Sequence, residues 1–414
     1  MDRRVVITGL GTVNPLGNSV TEFWTNVKAL KNGITRVTHF DPTDFTSQVA
    51  GEVKDFSSDD YIERKEARRM DPFTIYALVS ALQAAEDAGI KNGGVDSTRF
   101  GVVIGNGIGG LDMLSDSYRK LYDRGPKAVY PLLAAGMIPN IAGAYIAIKL
   151  KAQGPCHTIV TACSSGNDGI GMAYLWIKSG VADVMIAGGT EAAMTPIGLA
   201  GFCAIKALST KYNDQPEKAS RPFDRDRDGF VLGEGAGILV LEEMEHAKSR
   251  GVKIYVELAG YGVSCDASHL TAPHPEGKGA IMAMRMAIED GGLRPSDIDY
   301  INAHGTSTPL NDPVETKAIK EVMGEHARKV KISSTKSMIG HLLGGSGGVE
   351  AVATAMALDQ QYYPGTRNLD NPDPVCDLNY LPKKGEEGPM RVALSNSFGF
   401  GGHNSVLLFK RYES

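Results

Sequence analysis

No stretch of this 414-residue chain approaches the ~18 uninterrupted apolar residues of a membrane span. No transmembrane segment is therefore expected. An excess of positive charge is also missing: 43 Lys and Arg face 48 Asp and Glu, a formal net charge of −5. That argues against bulk nucleic-acid binding, which needs a strong basic footprint, but leaves room for a small basic patch that meets an acidic partner. Cysteine is scarce. The five, Cys156, Cys163, Cys203, Cys265 and Cys376, are odd in number and show no C-x-x-C spacing. A disulfide framework or a zinc ribbon is thus not expected, and a reducing, cytoplasmic setting fits. Met1 to Gly9 reads as the start of a strand, without the apolar core of a signal peptide or the character of a transit peptide. No G-X-Y period is present. Hydrophobic residues at 42 % and charged residues at 22 % describe a globular chain, long enough for two or three domain-sized units.

Glycine is what the chain holds in excess. It has 49, where average usage near ~7 % gives roughly 29. Many follow short β-branched runs: Val5-Val6-Ile7 before Gly9, Val102-Val103-Ile104 before Gly105, and Val184-Met185-Ile186 before Gly188 and Gly189. Buried apolar strands broken by helical segments point to a layered α/β fold. Helical periodicity covers Pro72 to Ala88 and Gly277 to Gly291. A faint internal repeat is also visible. Around residues 155–175, and again around 331–358, a strand runs into a small-residue turn and then a helix. Strands with Gly-rich ends follow in both cases, at Met185–Gly189 and at Val392–Asn396 leading into Gly399.

Cys163 stands at such a strand-to-helix junction, in Thr161-Ala162-Cys163-Ser164-Ser165-Gly166. The positive end of a helix dipole favours a thiolate there, which suits a nucleophile. The alternative is a buried structural cysteine. His304, in Ala303-His304-Gly305-Thr306-Ser307-Thr308, and His341, in Ile339-Gly340-His341-Leu342, lie in strand-end loops that can present imidazoles to a cleft. His403 is a weaker candidate of the same kind. Three motifs are decoys. Gly105 to Gly110 fits G-x-G-x-x-G, but no acidic residue closes a second strand at the right distance for a dinucleotide. Asp224 to Gly229 imitates half an EF-hand, yet arginines alternate with its acids, and a salt-bridged loop is the better reading. Ser333 to Lys336 fits S-x-x-K without the companion motifs of a serine acylase.

Together, Thr161–Gly166, Ala303–Thr308, Lys336–His341 and Asn396–Asn404 resemble the signature blocks of the β-ketoacyl-acyl-carrier-protein synthases. Arg221–Gly237 is a further block of that kind. The resemblance runs from Val5 to Phe409, and Gly51–Phe56 and Arg64–Asp71 place it nearest the elongating synthase II group of bacterial type II fatty acid synthesis. Synthase I and polyketide ketosynthases are the neighbouring alternatives; a non-catalytic chain-length factor typically lacks the nucleophile present here. The resemblance implies a thiolase-like, duplicated five-layered αβαβα fold, divided into 1–253 with the cysteine and 254–414 with the histidines. It implies a homodimer and no metal or cofactor. The catalytic set would be Cys163, His304, His341 and Lys336, supported by Glu350, for which the plainer reading is a solvated helix carboxylate. Lys336 is expected beside His341. Backbone N–H groups of Cys163 and Phe400 would form the oxyanion hole, and Thr306 and Thr308 would bind pantetheine. Ile108, Phe202 and Phe400 would line or gate the acyl pocket. Lys65, Arg68, Arg69 and Lys206 would dock an acidic acyl carrier protein. The first three sit at i, i+3, i+4, and the plainer reading is a solvated face paired with Glu63 and Glu66.

Overall fold

The β-branched runs form a large mixed sheet. A computed structural model describes residues 3–90 and 94–413. The ten strands of that sheet are β1 (Val5–Val13), β2 (Phe100–Gly105), β3 (Cys156–Ile159), β4 (Val184–Glu191), β5 (Gly235–Glu243), β6 (Val256–Cys265), β7 (Tyr300–Asn302), β8 (Lys331–Ser333), β9 (Val392–Gly399) and β10 (His403–Arg411). They pair in the order β3-β2-β4-β5-β1-β6-β10-β9-β7-β8. In the first half β2 is parallel to β3 and β4, while β5 runs antiparallel to β4 and β1. In the second, β7 is parallel to β8 and β9, while β10 runs antiparallel to β9 and β6. Counted from its own first strand, each half has the order 3-2-4-5-1. The faint sequence repeat is thus a repeat of topology. The halves join where Val5–Ile7 meets Val256–Leu258. The expected boundary at 253/254 falls between the helix Met244–Arg250 and β6.

Five helices complete the layers: α1 (Pro72–Asp87), α2 (Ser165–Lys178), α3 (Lys278–Asp290), α4 (Asn311–Met323) and α5 (Ser346–Gln360). α1 covers β1, β5 and β4 from outside the first half; α3 covers β6 and β10 from outside the second, with α4 beside it. α2 and α5 lie between, and each packs on strands of both halves. This is the expected αβαβα sandwich. Its central core joins Ile170, Ala173 and Ile177 of α2 to Val349, Val352 and Ala355 of α5. Among the described residues no helix is long and apolar enough to cross a membrane.

The strands outrun their sequence signals. β1 continues through Gly9 and Gly11 to Val13, because α1 lies directly on it: a Cβ at Gly9 would stand 2.1 Å from the Ala84 carbonyl oxygen, and one at Gly11 only 1.9 Å from that of Ser80. These glycines are places where a helix backbone touches a strand. Gly11→Ala is therefore expected to cost about 1–3 kcal/mol by overpacking. Gly201→Ala, in the helix Pro196–Ala204 with nothing within 4 Å of its added methyl, should be neutral or stabilising. Urea unfolding of the two variants checks both; equal stability would contradict the helix-on-strand contact.

Candidate active site

The two central helices begin almost on top of one another. A Cβ on Gly166 would lie 2.7 Å from the Gly348 nitrogen, and one on Gly347 would lie 2.5 Å from the Asn167 nitrogen. Only glycines allow that approach. Cys163 sits in the single turn Ala162–Ser164 that leads into α2, next to Ala162, whose φ of 51° is in the left-handed region. The turn is tied to the other half of the molecule. Ser164 Oγ donates to the carbonyls of Ser397 (3.0 Å) and His403 (2.9 Å), and Ser397 Oγ donates to the Cys163 carbonyl (2.9 Å). Strand β9 thus holds the cysteine that the first half supplies.

His304 follows β7. Its backbone N–H and that of Gly305 both donate to the buried carboxylate of Glu315 on α4, each at 2.8 Å, and Asn396 Nδ2 adds a third donor at 3.1 Å. His341 is fixed through its backbone, which donates to the Val231 carbonyl at 2.7 Å and accepts from the Gly233 N–H at 2.9 Å. Its Nδ1 lies 2.8 Å from Ser346 Oγ, which also accepts the Leu342 N–H at 2.9 Å. The two imidazoles stand edge to face with centroids 5.3 Å apart. Both are buried, at 2 % and 3 % exposure.

Lys336 is 1 % exposed and pairs with Glu350, itself 1 % exposed on α5. Glu350 is a buried counter-ion, so the solvated-carboxylate alternative is set aside. The ammonium lies 3.5 Å from His304 Nδ1, and its charge also bears on His341, as expected. Because an ammonium only donates, His304 Nδ1 is the acceptor and Nε2 carries the proton. Burial above all, and then the Lys336 charge, push both imidazoles well below their ordinary range. They are neutral at physiological pH. Burial also raises the Glu350 carboxyl to about 7, against the pull of Lys336.

The thiol departs from expectation. A helix N-terminus was expected to favour thiolate, but burial pushes Cys163 up to about 11. The Lys336 charge and hydrogen bonds from the N–H groups of Phe400 and Cys163 itself act the other way and are outweighed.

Cys163, His304, His341, Phe400, Thr306, Thr308, Phe202 and Lys206 all line one cavity of about 340 Å³. Thr306 and Thr308 share a hydrogen bond of 2.9 Å at its wall. Ile108 does not line it and is 38 % exposed. Lys65, Arg68 and Arg69 lie elsewhere on the surface. The helix there spans only Arg64–Ala67, so Arg68 caps it and Arg69 lies beyond it. All three are exposed, and none has a carboxylate partner among the described residues; Glu66 pairs with Lys149 instead.

The decoys resolve as anticipated. In the Gly105–Gly110 loop, the amides of Gly107 and Ile108 are taken by the Glu191 carboxylate, at 2.9 and 3.3 Å, and are not free for a phosphate. The Asp224 loop is held by Arg221 (3.0 Å) and by Arg227 through Asp373 (2.6 Å). Ser333 Oγ bonds Tyr300 rather than Lys336. Three functional neighbours escaped the sequence reading: Glu315, Ser346 and Glu191. Each acts on residues distant in the chain or through backbone atoms, and only the position of Ser346 at the start of a helix gave a local sign.

Comparison with known proteins places these residues in context. Residues 2–247 match the model of the β-ketoacyl synthase N-terminal domain and residues 255–370 that of its C-terminal domain. A 3-oxoacyl-[acyl-carrier-protein] synthase 2 from Synechocystis is 52 % identical over 411 residues, 99 % of each chain. One from Staphylococcus aureus is 48 % identical over 413 residues, 100 % of this chain and 99 % of its own. Among solved structures, a type II polyketide ketosynthase in complex with its acyl-carrier protein superposes with a TM-score of 0.93 at 37 % identity, covering all of both chains. A β-ketoacyl synthase from Burkholderia phymatum gives 0.91 at 34 %, covering 99 % of this chain and 100 % of its own.

A thiol raised to about 11 makes a direct prediction. Iodoacetamide labelling of Cys163, followed site by site by peptide mass spectrometry, should quicken roughly tenfold per pH unit between about pH 7 and 10. A plateau reached below about pH 8 would mean a stabilised thiolate and overturn the assignment.

Proposed function

The chain belongs to the β-ketoacyl synthase family, the Claisen-condensing enzymes of fatty acid elongation, and from that premise we propose how its own residues share the chemistry. The acyl chain of an acyl-carrier-protein thioester is transferred to Cys163. Its sulfur forms the new C–S bond, the pantetheine sulfur leaves, and the thiol proton passes in net terms to that leaving sulfur. Malonyl-carrier protein then enters. Its C–CO2 bond breaks, CO2 departs, and the electron pair becomes an enolate on the thioester. His304 and His341 stabilise that oxyanion through their Nε2–H groups. The enolate carbon attacks the Cys163 thioester, whose developing oxyanion accepts from the N–H groups of Cys163 and Phe400. Collapse gives a 3-oxoacyl-carrier protein two carbons longer and a thiolate that takes up one proton.

One observation carries this reading: two neutral imidazoles face one cavity with the cysteine, each with Nδ1 engaged away from it. Lys336 fixes the tautomer of His304. Ser346 already accepts the Leu342 N–H, so its own proton is available to His341 Nδ1, which leaves Nε2 protonated there as well. A neutral donor stabilises an enolate without quenching it by protonation. Thr306 and Thr308 hold the pantetheine amides, and Phe202 lines the acyl pocket, with Ile108, outside the cavity, as the gate to its extension. The higher identity to fatty-acid synthases than to the polyketide structure favours elongation over polyketide assembly.

The carrier protein docks on Lys65, Arg68 and Arg69, with Lys206 at the cavity mouth. Their exposure and lack of carboxylate partners support this, and the solved complex of a related ketosynthase with its acyl-carrier protein gives the precedent. We divide the chain at 253/254 into a cysteine half and a histidine half, and assign it to the cytoplasm as a homodimer. The unpaired edge of β3 and the exposed Ile148 and Val160 support a second copy there.

Intact mass after mixing with acyl-carrier protein should show one acyl adduct, absent in Cys163→Ala; an adduct that survives the substitution removes the nucleophile assignment. His304→Ala and His341→Ala should each lower decarboxylation of malonyl-carrier protein by on the order of a hundredfold, and activity equal to wild type would reject their role. Charge reversal at Lys65, Arg68 and Arg69 should raise KM for carrier substrates about tenfold at low salt, with the difference shrinking as salt rises. An unchanged KM at low salt rejects that face.

A further inference from the structure

Glu191 ends β4 as a fully buried carboxylate. Among the described residues it has no cationic partner within ion-pair distance; its charge is met by amides. Oε2 accepts from the backbone N–H of Gly107 (2.9 Å) and of Gly344 (3.1 Å), and Oε1 from that of Ile108 (3.3 Å) and from Asn106 Nδ2 (3.1 Å). Two turns far apart in sequence therefore share one carboxyl group, which burial raises to about 7 against the pull of these donors. They also touch directly: a Cβ on Gly344 would lie 2.4 Å from the Gly107 nitrogen, and a Cβ on Gly107 would lie 2.7 Å from Glu191 Oε2 and 3.8 Å from the carbonyl oxygen of Ala162, next to the cysteine. One turn carries Ile108. The other follows His341 and leads to Ser346, which holds the His341 ring.

We propose that Glu191 is a positioning residue that clamps the Ile108 turn to the His341–Ser346 turn, and so sets both the length of acyl chain admitted and the placement of His341. The inference rests on the reading of Ile108 as a gate that stands outside the present cavity and opens its extension to a long chain. The gate's backbone is anchored through the Gly107 and Ile108 amides, so its freedom is decided by the carboxyl group rather than by the isoleucine alone. Because Gly344 shares an oxygen with Gly107, a shift of the gate is felt on the histidine side. Among the described residues no other side chain bonds both turns.

The experiment compares wild type and Glu191→Gln with hexanoyl- and hexadecanoyl-carrier protein for acylation of Cys163, and with malonyl-carrier protein for decarboxylation. Glutamine keeps the shape but turns an NH2 donor toward N–H groups. The turn should be released, raising the ratio of kcat/KM for the long chain over the short by about five- to tenfold while kcat for decarboxylation falls. A purely structural role would lower all substrates alike and leave the ratio unmoved, and that result overturns the proposal. If Glu191→Gln does not fold, Glu191→Asp, which keeps the charge on a shorter arm, should show the same change of ratio in smaller degree; an unchanged ratio there is equally fatal. Combining the change with Ile108→Ala should give less than the product of the two separate effects on the ratio, whereas independent effects argue against a clamp. Wild-type enzyme that fails to acylate Cys163 at all would instead refute the condensing function.

Discussion

The site depends on backbone touching backbone. Two helices buried between the two halves of the sheet start at nearly the same point, and side chains on Gly166 or Gly347 would force them apart. Their convergence brings the cysteine turn ahead of α2 and the histidine turn ahead of α5 into one cavity. Strand ends supply the rest: His304 beyond β7, Phe400 beyond β9. Duplication of one 3-2-4-5-1 unit provides two such helix starts, and the packing of the halves lets each complete the other. The cysteine comes from one copy and both imidazoles from the other.

Burial then dictates the electrostatics. Deep inside this contact a charge is costly, so the thiol stays protonated and the imidazoles stay neutral. The ionisable groups that remain are each paired. Lys336 is matched by Glu350, and Glu315 and Glu191 are matched by backbone amides. The carboxylates thereby act as fasteners for loops. Glu315 fixes the backbone of His304, and Glu191 spans the Ile108 and Gly344 turns. Lys336 has a double task, since it sets the tautomer of one histidine and its field discourages protonation of both.

Much of this was legible in the sequence wherever chemistry is written locally. Cys163, His304, His341, Lys336 and Phe400 each lie in a short motif whose residue types announce a turn. Strands and helices were readable from β-branched runs and from the periodicity between Pro72 and Ala88. What could not be read was whatever depends on a distant partner. Gly9 and Gly11 looked like strand ends because the helix lying on them belongs to another part of the chain. The thiol was expected to ionise because its helix is adjacent in sequence, while the burial that prevents ionisation comes from the whole fold. Lys336 was placed beside His341, five residues away, and its charge does bear on that ring, but its hydrogen-bonding reach to His304, 32 residues away, carried no signal. Glu191 and Glu315 carried no signal, because their partners are main-chain N–H groups that every sequence possesses.

The protonated cysteine has a consequence for the life of the protein in a cell. Peroxide and stray electrophiles attack thiolates, and the oxidation of a cysteine follows its thiolate content and its accessibility. A thiol raised to about 11 and only 8 % exposed offers little of either. The same burial that makes ionisation costly therefore also shields the thiol from chemical wear.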